Sequence, residues 1–258
     1  MRILYASDLH LEFRQLDPLP AIPDPSTYDL VILAGDVSTA VRGATWAIET
    51  FSGKPIIYIP GNHEYYGYDF NLTNAAIGAC EELDENFHAL LPGSIFIGDT
   101  QFIGATLWTD GNDPTLSYQP YSYIERHVND FQLIKVGDRR WRIEDAQAAF
   151  EQHRAFIESQ LQIPWEGNRV VITHFLPTRQ AIAKKYENSN LNGYFASDLD
   201  DLIAKYKPTI WLFGHTHDPQ QFVHSSGETV MLANPWGYPR ENPGRQWKIF
   251  EIEHHQEP

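Results

Sequence analysis

The chain is poor in several things, and each shortage removes a class of protein. It has one cysteine, Cys80, in 258 residues, so no internal disulfide can brace it and a reducing, cytoplasmic setting is expected. No apolar run approaches the ~18 residues of a membrane-spanning helix, so no membrane partner is expected. The apolar start from Met1 to Ala6 is too short for the core of a signal peptide. Positive charge is scarce: 19 Lys and Arg stand against 34 Asp and Glu, a formal charge of −15. Such a surface is not built to neutralise a long phosphate backbone, which argues against long nucleic acid as a partner. Internal repeats, low-complexity tracts and an interdomain linker are also missing, so residues 1–258 are expected to form a single domain. What the chain does have is core material, 42% hydrophobic residues and 13% aromatics.

Short apolar runs alternate with amphipathic stretches, which is an α/β pattern. Strands are expected at Ile3–Ala6, Leu30–Ala34, Ile56–Ile59, Phe102–Ala105, Val170–Thr173, Ile210–Phe213, Phe222–His224, Val230–Ala233 and Trp247–Ile252. One helical stripe runs through Leu72, Ala76, Ala79, Cys80, Leu83 and Phe87, and a second through Ile143, Ala146, Phe150, Ile157 and Leu161. A third runs through Leu199, Leu202, Ile203 and Tyr206, with Ser197 as its N-cap and Asp200 at the capping-box position. The early strands are separated by helices and the last three only by turns. The sheet should therefore be mixed, parallel at first and hairpin-like at the end. Residues 107–142 carry Trp108, Tyr118, Tyr121, Tyr123 and Trp141 without clear periodicity, and a stretch of that length is expected to be a lid or cap over a site.

The chemistry sits directly after the strands. Ile3–Ala6 leads into Asp8 and His10, Leu30–Ala34 into Gly35 and Asp36, and Ile56–Ile59 into Gly61, Asn62, His63 and Glu64. Val170–Thr173 leads into His174, and Ile210–Phe213 into Gly214, His215 and His217. Taken singly, each is an ordinary turn sequence. Jointly, five strand ends converge on Asp, His and Asn at the carboxyl edge, where open α/β sheets bind ligands. Asp8 and Asp36 offer hard oxygens, Asn62 a neutral carbonyl, and His10, His174, His215 and His217 imidazole nitrogens. That is too many donors for one tetrahedral ion, and two divalent ions sharing a carboxylate would use them all. Mixed nitrogen and oxygen donors suit manganese, iron, zinc, cobalt or nickel better than calcium or magnesium. The remaining histidines, at 88, 127, 153, 224, 254 and 255, have no such context.

The ordered set Asp8-x-His10, Gly35-Asp36, Gly61-Asn62-His63-Glu64, His174 and Gly214-His215-x-His217 resembles the calcineurin-like metallophosphoesterases. Asn192 to Leu202 (NGYFASDLDDL) and Ala233 to Tyr238 (ANPWGY) are similar to uncharacterised, stand-alone bacterial members. The resemblance implies two mixed β-sheets packed face to face with helices outside, a four-layer αββα sandwich. It implies one ion on Asp8, His10, Asp36 and His217, and a second on Asp36, Asn62, His174 and His215, with Asp36 bridging. His63 is left to act as a catalytic acid or to hold a phosphoryl oxygen, and Glu64 to orient its loop. The reaction implied is hydrolysis of a phosphoester by a hydroxide that two ions generate from water.

The protein Ser/Thr phosphatases of this family carry two arginines that grip phosphate, where this chain has Pro60 before Gly61 and Val37-Ser38-Thr39-Ala40-Val41 after Asp36. Small organic phosphodiesters, nucleotides or phosphomonoesters are the expected substrates, with diesters favoured. The alternatives are a cyclic nucleotide phosphodiesterase, a protein phosphatase, or a scaffold using the same fold. Asn62, His63, Tyr65, Tyr66 and Asn192 are candidate substrate contacts. Tyr68, Asn190, Arg126, Arg139, Arg140 and Arg142 are weaker ones.

Overall fold

The central strands form where the sequence places short apolar runs that end up buried on both faces, as parallel sheets require. The structure, a computed structural model, describes residues 1–253. Its strands in chain order are β1 (Arg2–Ala6), β2 (Leu30–Ala34), β3 (Ile56–Ile59), β4 (Phe87–Ala89), β5 (Gly93–Ile97), β6 (Thr100–Ala105), β7 (Lys135–Val136), β8 (Arg139–Arg140), β9 (Asn168–Thr173), β10 (Ile210–Leu212), β11 (Gln220–Val223), β12 (Val230–Ala233) and β13 (Lys248–Glu251). One sheet runs β13-β1-β2-β3-β4, parallel except where β13 meets β1. The other runs β11-β12-β10-β9-β6-β5, parallel in the middle and antiparallel at both edges. β7 and β8 form a separate two-stranded ribbon.

Alternation along each strand sorts the core into layers. Ile3, Leu30, Ile32 and Ile57 of the first sheet pack against Phe102, Val170, Ile172 and Leu212 of the second, filling the space between the sheets. The opposite face of the first sheet, with Leu4, Val31, Leu33 and Tyr58, is covered by the helices Arg42–Thr50 and Phe70–Gly78. The opposite face of the second, with Ile103, Val171, Trp211 and Met231, is covered by the helices Ile143–Gln162 and Asp200–Tyr206. The result is two mixed sheets face to face with helices outside. No helix among the described residues is long and apolar enough to cross a membrane.

Several local expectations are corrected. The last three strands do not form one hairpin run: β11 and β12 pair, but β13 crosses to the first sheet and lies beside β1, where its backbone completes that edge. Phe87 belongs to β4, and Leu72 and Leu83 are exposed, so the first helical stripe is shorter than its sequence periodicity. The helix Asp200–Tyr206 is not capped by Ser197. The Asp200 carboxylate instead faces His224 Nε2 at 3.2 Å and accepts from Gln180 Nε2 at 2.9 Å. Segment 107–142 contains the helices Tyr121–His127 and Asp130–Leu133 as well as the β7–β8 ribbon. Trp108 and Trp141, with ring centroids 4.8 Å apart, are core residues over the second sheet.

Candidate metal centre

The carboxyl ends of β1, β2, β3 and β9 and the turn after β10 deliver their polar residues to one place. Asp8, His10, Asp36, His215 and His217 all have left-handed backbones, with φ between 48° and 63°. Such a backbone is costly for residues with a Cβ, and clusters of it mark sites where side chains must be aimed. Gly61 explains itself by crowding, since a Cβ there would strike Asp36 Oδ1 and lie 2.7 Å from His174 Nε2. Glu64 locks the loops together. Its fully buried carboxylate accepts from the backbone N–H groups of Asp36 (3.1 Å), Val37 (2.9 Å) and Gly61 (2.8 Å), and from the Tyr58 hydroxyl (2.8 Å). Burial, together with the charge of Asp36, lifts Glu64 to about 7.

Around this brace the donor atoms fall into groups. Ligand atoms of Asp8, His10 and His217 all lie within 4.8 Å of one another, as do those of Asp36, His174 and His215. Nε2 of His10 and of His217 face each other at 3.0 Å, and His217 Nε2 is 3.5 Å from Asp8 Oδ1. In the second group His174 Nε2 is 3.4 Å from Asp36 Oδ1 and 3.1 Å from Asn62 Oδ1. His10 Nε2 is 3.9 Å from Asp36 Oδ2, so Asp36 reaches both groups. His174 Nδ1 is satisfied by the carbonyl of Ala34 at 2.9 Å, which leaves Nε2 for the centre.

The charges fit divalent cations. Asp8 and Asp36 are buried, yet both stay below the usual carboxylate range, because burial is outweighed by His217 beside Asp8 and by His174 and His63 beside Asp36. Burial would lower His174 and His217, but the carboxylates raise them to about 9 and about 10. At neutral pH these two imidazoles therefore carry positive charge beside the buried carboxylates. Burial and the neighbouring His174 lower His215 to about 3, and its buried Nε2 has no partner among the described residues. A neutral imidazole with an orphaned buried nitrogen, beside two buried carboxylates, is a donor set suited to borderline metal ions.

Supporting residues surround this set that the sequence reading missed. Glu12 Oε1 lies 3.0 Å from His63 Nδ1, and Tyr238 places its hydroxyl 3.2 Å from His63 Nε2. Asn62 Nδ2 donates to Asp130 Oδ1 at 2.8 Å, and Tyr66 and Tyr194 also donate to that carboxylate, at 2.7 and 2.9 Å. Asp130 thus fixes which way the Asn62 amide points. Glu241 Oε2 lies 2.8 Å from His217 Nδ1, as a carboxylate behind a candidate ligand imidazole would. Glu12 could have been suspected, since it follows His10 in the same turn. Tyr238 lies in the ANPWGY stretch, but Asp130 has no sequence signal.

A cavity of about 350 Å³ opens on the centre, lined by Asp36, Asn62, His63, His215 and His217 at one end. Tyr66 and Asn192 line it too, but Tyr65 does not. The Tyr65 ring points into the core beside Trp108, and its hydroxyl is spent on Asn74 at 2.7 Å. The Nδ2 group of Asn192 donates to the carbonyls of Tyr186 and Glu187, at 2.8 and 3.2 Å, so it shapes the wall. From segment 107–142, residues 127–130 form part of the lining, including His127, which the sequence reading set aside. Asn190, Arg126, Arg139, Arg140 and Arg142 are exposed and do not line it, nor does Tyr68. His153 is buried and accepts from Leu107 N, while His254 and His255 lie outside the described residues.

Comparison with known proteins agrees with the geometry. Protein L509 of Acanthamoeba polyphaga mimivirus, described as uncharacterized, is 29% identical over 275 aligned positions, covering 93% of either chain. The crystal structure of phosphopantetheinyl hydrolase from Mycobacterium tuberculosis shares the fold with a TM-score of 0.71 at 18% identity, covering 99% of this chain and 98% of that one. The family model for calcineurin-like phosphoesterases matches residues 1–219, which takes in every candidate ligand, and this chain belongs to that family.

Proposed function

We propose that the protein hydrolyses a phosphoester of a small organic or nucleotide substrate at a binuclear metal centre, with diesters favoured over monoesters. The carrying observation is the pair of donor groups that meet at Asp36 on the floor of one cavity, with His63 beside them. Asp8, His10, Asp36 and His217 would hold one ion, and Asp36, Asn62, His174 and His215 the other. Manganese, iron, zinc, nickel and cobalt all suit this mixed nitrogen and oxygen set. Two such ions supply Lewis acidity to water and to the phosphoryl oxygens.

The chain's own residues contribute the rest. The Glu12 carboxylate, against Nδ1, favours the protonated imidazole of His63, whose Nε2 faces the centre 3.9 Å from Asp36 Oδ2. That proton is placed to go to a leaving oxygen. Glu64 and Asp130 hold the loop and the Asn62 amide in position, so the geometry exists before substrate arrives. A monoester dianion needs more positive charge than a diester, and no lysine or arginine is among the described residues lining the cavity. This supports the diester preference and weighs against a protein phosphatase. Residues 127–130 act as the capping wall of segment 107–142.

The test is turnover of bis(p-nitrophenyl) phosphate and p-nitrophenyl phosphate by metal-stripped protein, with manganese, iron, zinc, nickel or cobalt restored singly. Diester turnover should return with metal and disappear in His63→Ala and Asp36→Asn. Elemental analysis finding no bound metal under any of these conditions would overturn the reading.

A further inference from the structure

Beyond the ligands, the cavity continues between residues 127–130 and the loop 182–195, and the phosphoester chemistry does not use that part. Its wall is mainly apolar, with Val128, Leu176, Ile182, Leu191 and Phe195 facing it beside Asn129 and Ser189. Its main charged and amide groups are already engaged. The Asp130 carboxylate is taken up by Asn62, Tyr66 and Tyr194, the N–H donors of Asn192 by backbone carbonyls, and Glu241 by His217. Lys185 does not line the cavity, and its ammonium rests on the Tyr186 ring, 5.0 Å from the centroid. An anionic substituent would thus enter beside Asp130 and Glu241 with no lysine or arginine in the lining to receive it. An apolar one would exchange water for the walls at no such cost.

We infer that the substrate is a phosphodiester whose second substituent is an uncharged, mainly apolar chain lying in this sleeve. The inference rests on the phosphodiester reading above and names the part of the substrate that the reaction leaves unspecified. A chain that fits gains affinity with each buried methylene, and a carboxylate at its end forfeits that gain.

Three diesters with one leaving group separate the possibilities: p-nitrophenyl methyl, hexyl and 5-carboxypentyl phosphate, assayed on the manganese-loaded full chain. The hexyl ester should exceed the methyl ester in kcat/KM by about tenfold or more, mainly through KM. The carboxypentyl ester should fall back to the methyl level or below. Leu191→Asp and Ile182→Ser should each bring the hexyl-to-methyl ratio toward one, and using two variants guards against one that misfolds. Calorimetric binding of non-hydrolysable methyl and hexyl phosphonate monoesters should give the same order without turnover. Equal hexyl and methyl constants, or a preference for the carboxylate arm, would overturn the inference while leaving diester hydrolysis intact. Ordered phosphonate binding without turnover of any diester would keep the sleeve and overturn the reaction.

Discussion

Glu12 Oε1 lies 3.0 Å from Nδ1 of His63, which it holds, and 3.5 Å from Nδ1 of His10, so one mostly buried carboxylate faces two imidazoles, one of them a proposed ligand. Each imidazole is thereby left with Nε2 toward the centre. Replacing Glu12 by alanine should lower kcat on a diester by roughly 10- to 100-fold, with metal content reduced less. Glu12→Gln, which keeps an acceptor, should recover part of it. If the two residues act as a unit, Glu12→Ala should cost far less in a His63→Ala background. Steady-state kinetics of the four proteins would decide it.

Glu64 satisfies three buried backbone donors and one buried hydroxyl. Alanine at this position would leave all four without their acceptor, at about 1–3 kcal/mol for each group not re-satisfied. The expected loss is about 4 kcal/mol. In a chain of this size that lowers Tm by roughly 10 °C, which a thermal melt of metal-free protein would read without any contribution from bound ions.

The bond between Asn62 Nδ2 and Asp130 predicts a change in metal binding rather than in folding alone. Asp130→Leu frees the amide to turn and should weaken one of the two proposed metal equivalents by about 10- to 100-fold, read by calorimetric titration of metal-stripped protein. Asp130→Asn, which can still accept from Asn62, should restore most of the affinity. Uniform loss of both equivalents would place Asp130 in the general fold and not behind Asn62.

His153 sets a pH dependence away from the centre. Burial lowers its pKa from 6.5 to about 4 in the folded chain. Above pH 6.5 both folded and unfolded forms are neutral there, and the contribution to stability is complete. As pH falls from 6.5 toward 4, only the unfolded chain takes up the proton, so stability drops by about 1.4 kcal/mol per pH unit and levels off below 4. His153→Gln should flatten that part of the profile in urea denaturation series. An unchanged slope would assign the acid sensitivity to other groups.

The candidate ligands were legible because each directly follows a buried apolar strand, and a strand end places its next residues at the sheet edge. Sequence alone could not supply Asp130, which reaches Asn62 from 68 positions away on a segment whose aromatics serve the core. Tyr65 and Tyr66 show the limit at the scale of one residue. They share a short 3-10 turn, yet Tyr65 packs on Trp108 and Tyr66 faces the cavity. A cluster of tyrosines in sequence does not say which ring points where. The last strand was recognised, but its partner was not, because an edge position beside β1 is a property of the assembled sheet.

The left-handed backbone at Asp8, His10, Asp36, His215 and His217 also bears on how such a protein drifts over generations. Each of these residues holds a conformation that would cost glycine little and costs them about 1–2 kcal/mol, so at the candidate site positions the backbone conformation does not itself favour the residue present. A gene copy released from the need to turn over substrate meets no conformational resistance to losing them. The sandwich would survive while the chemistry disappears, and inert descendants of this architecture should show their first losses at these turns, with the strands behind them unchanged.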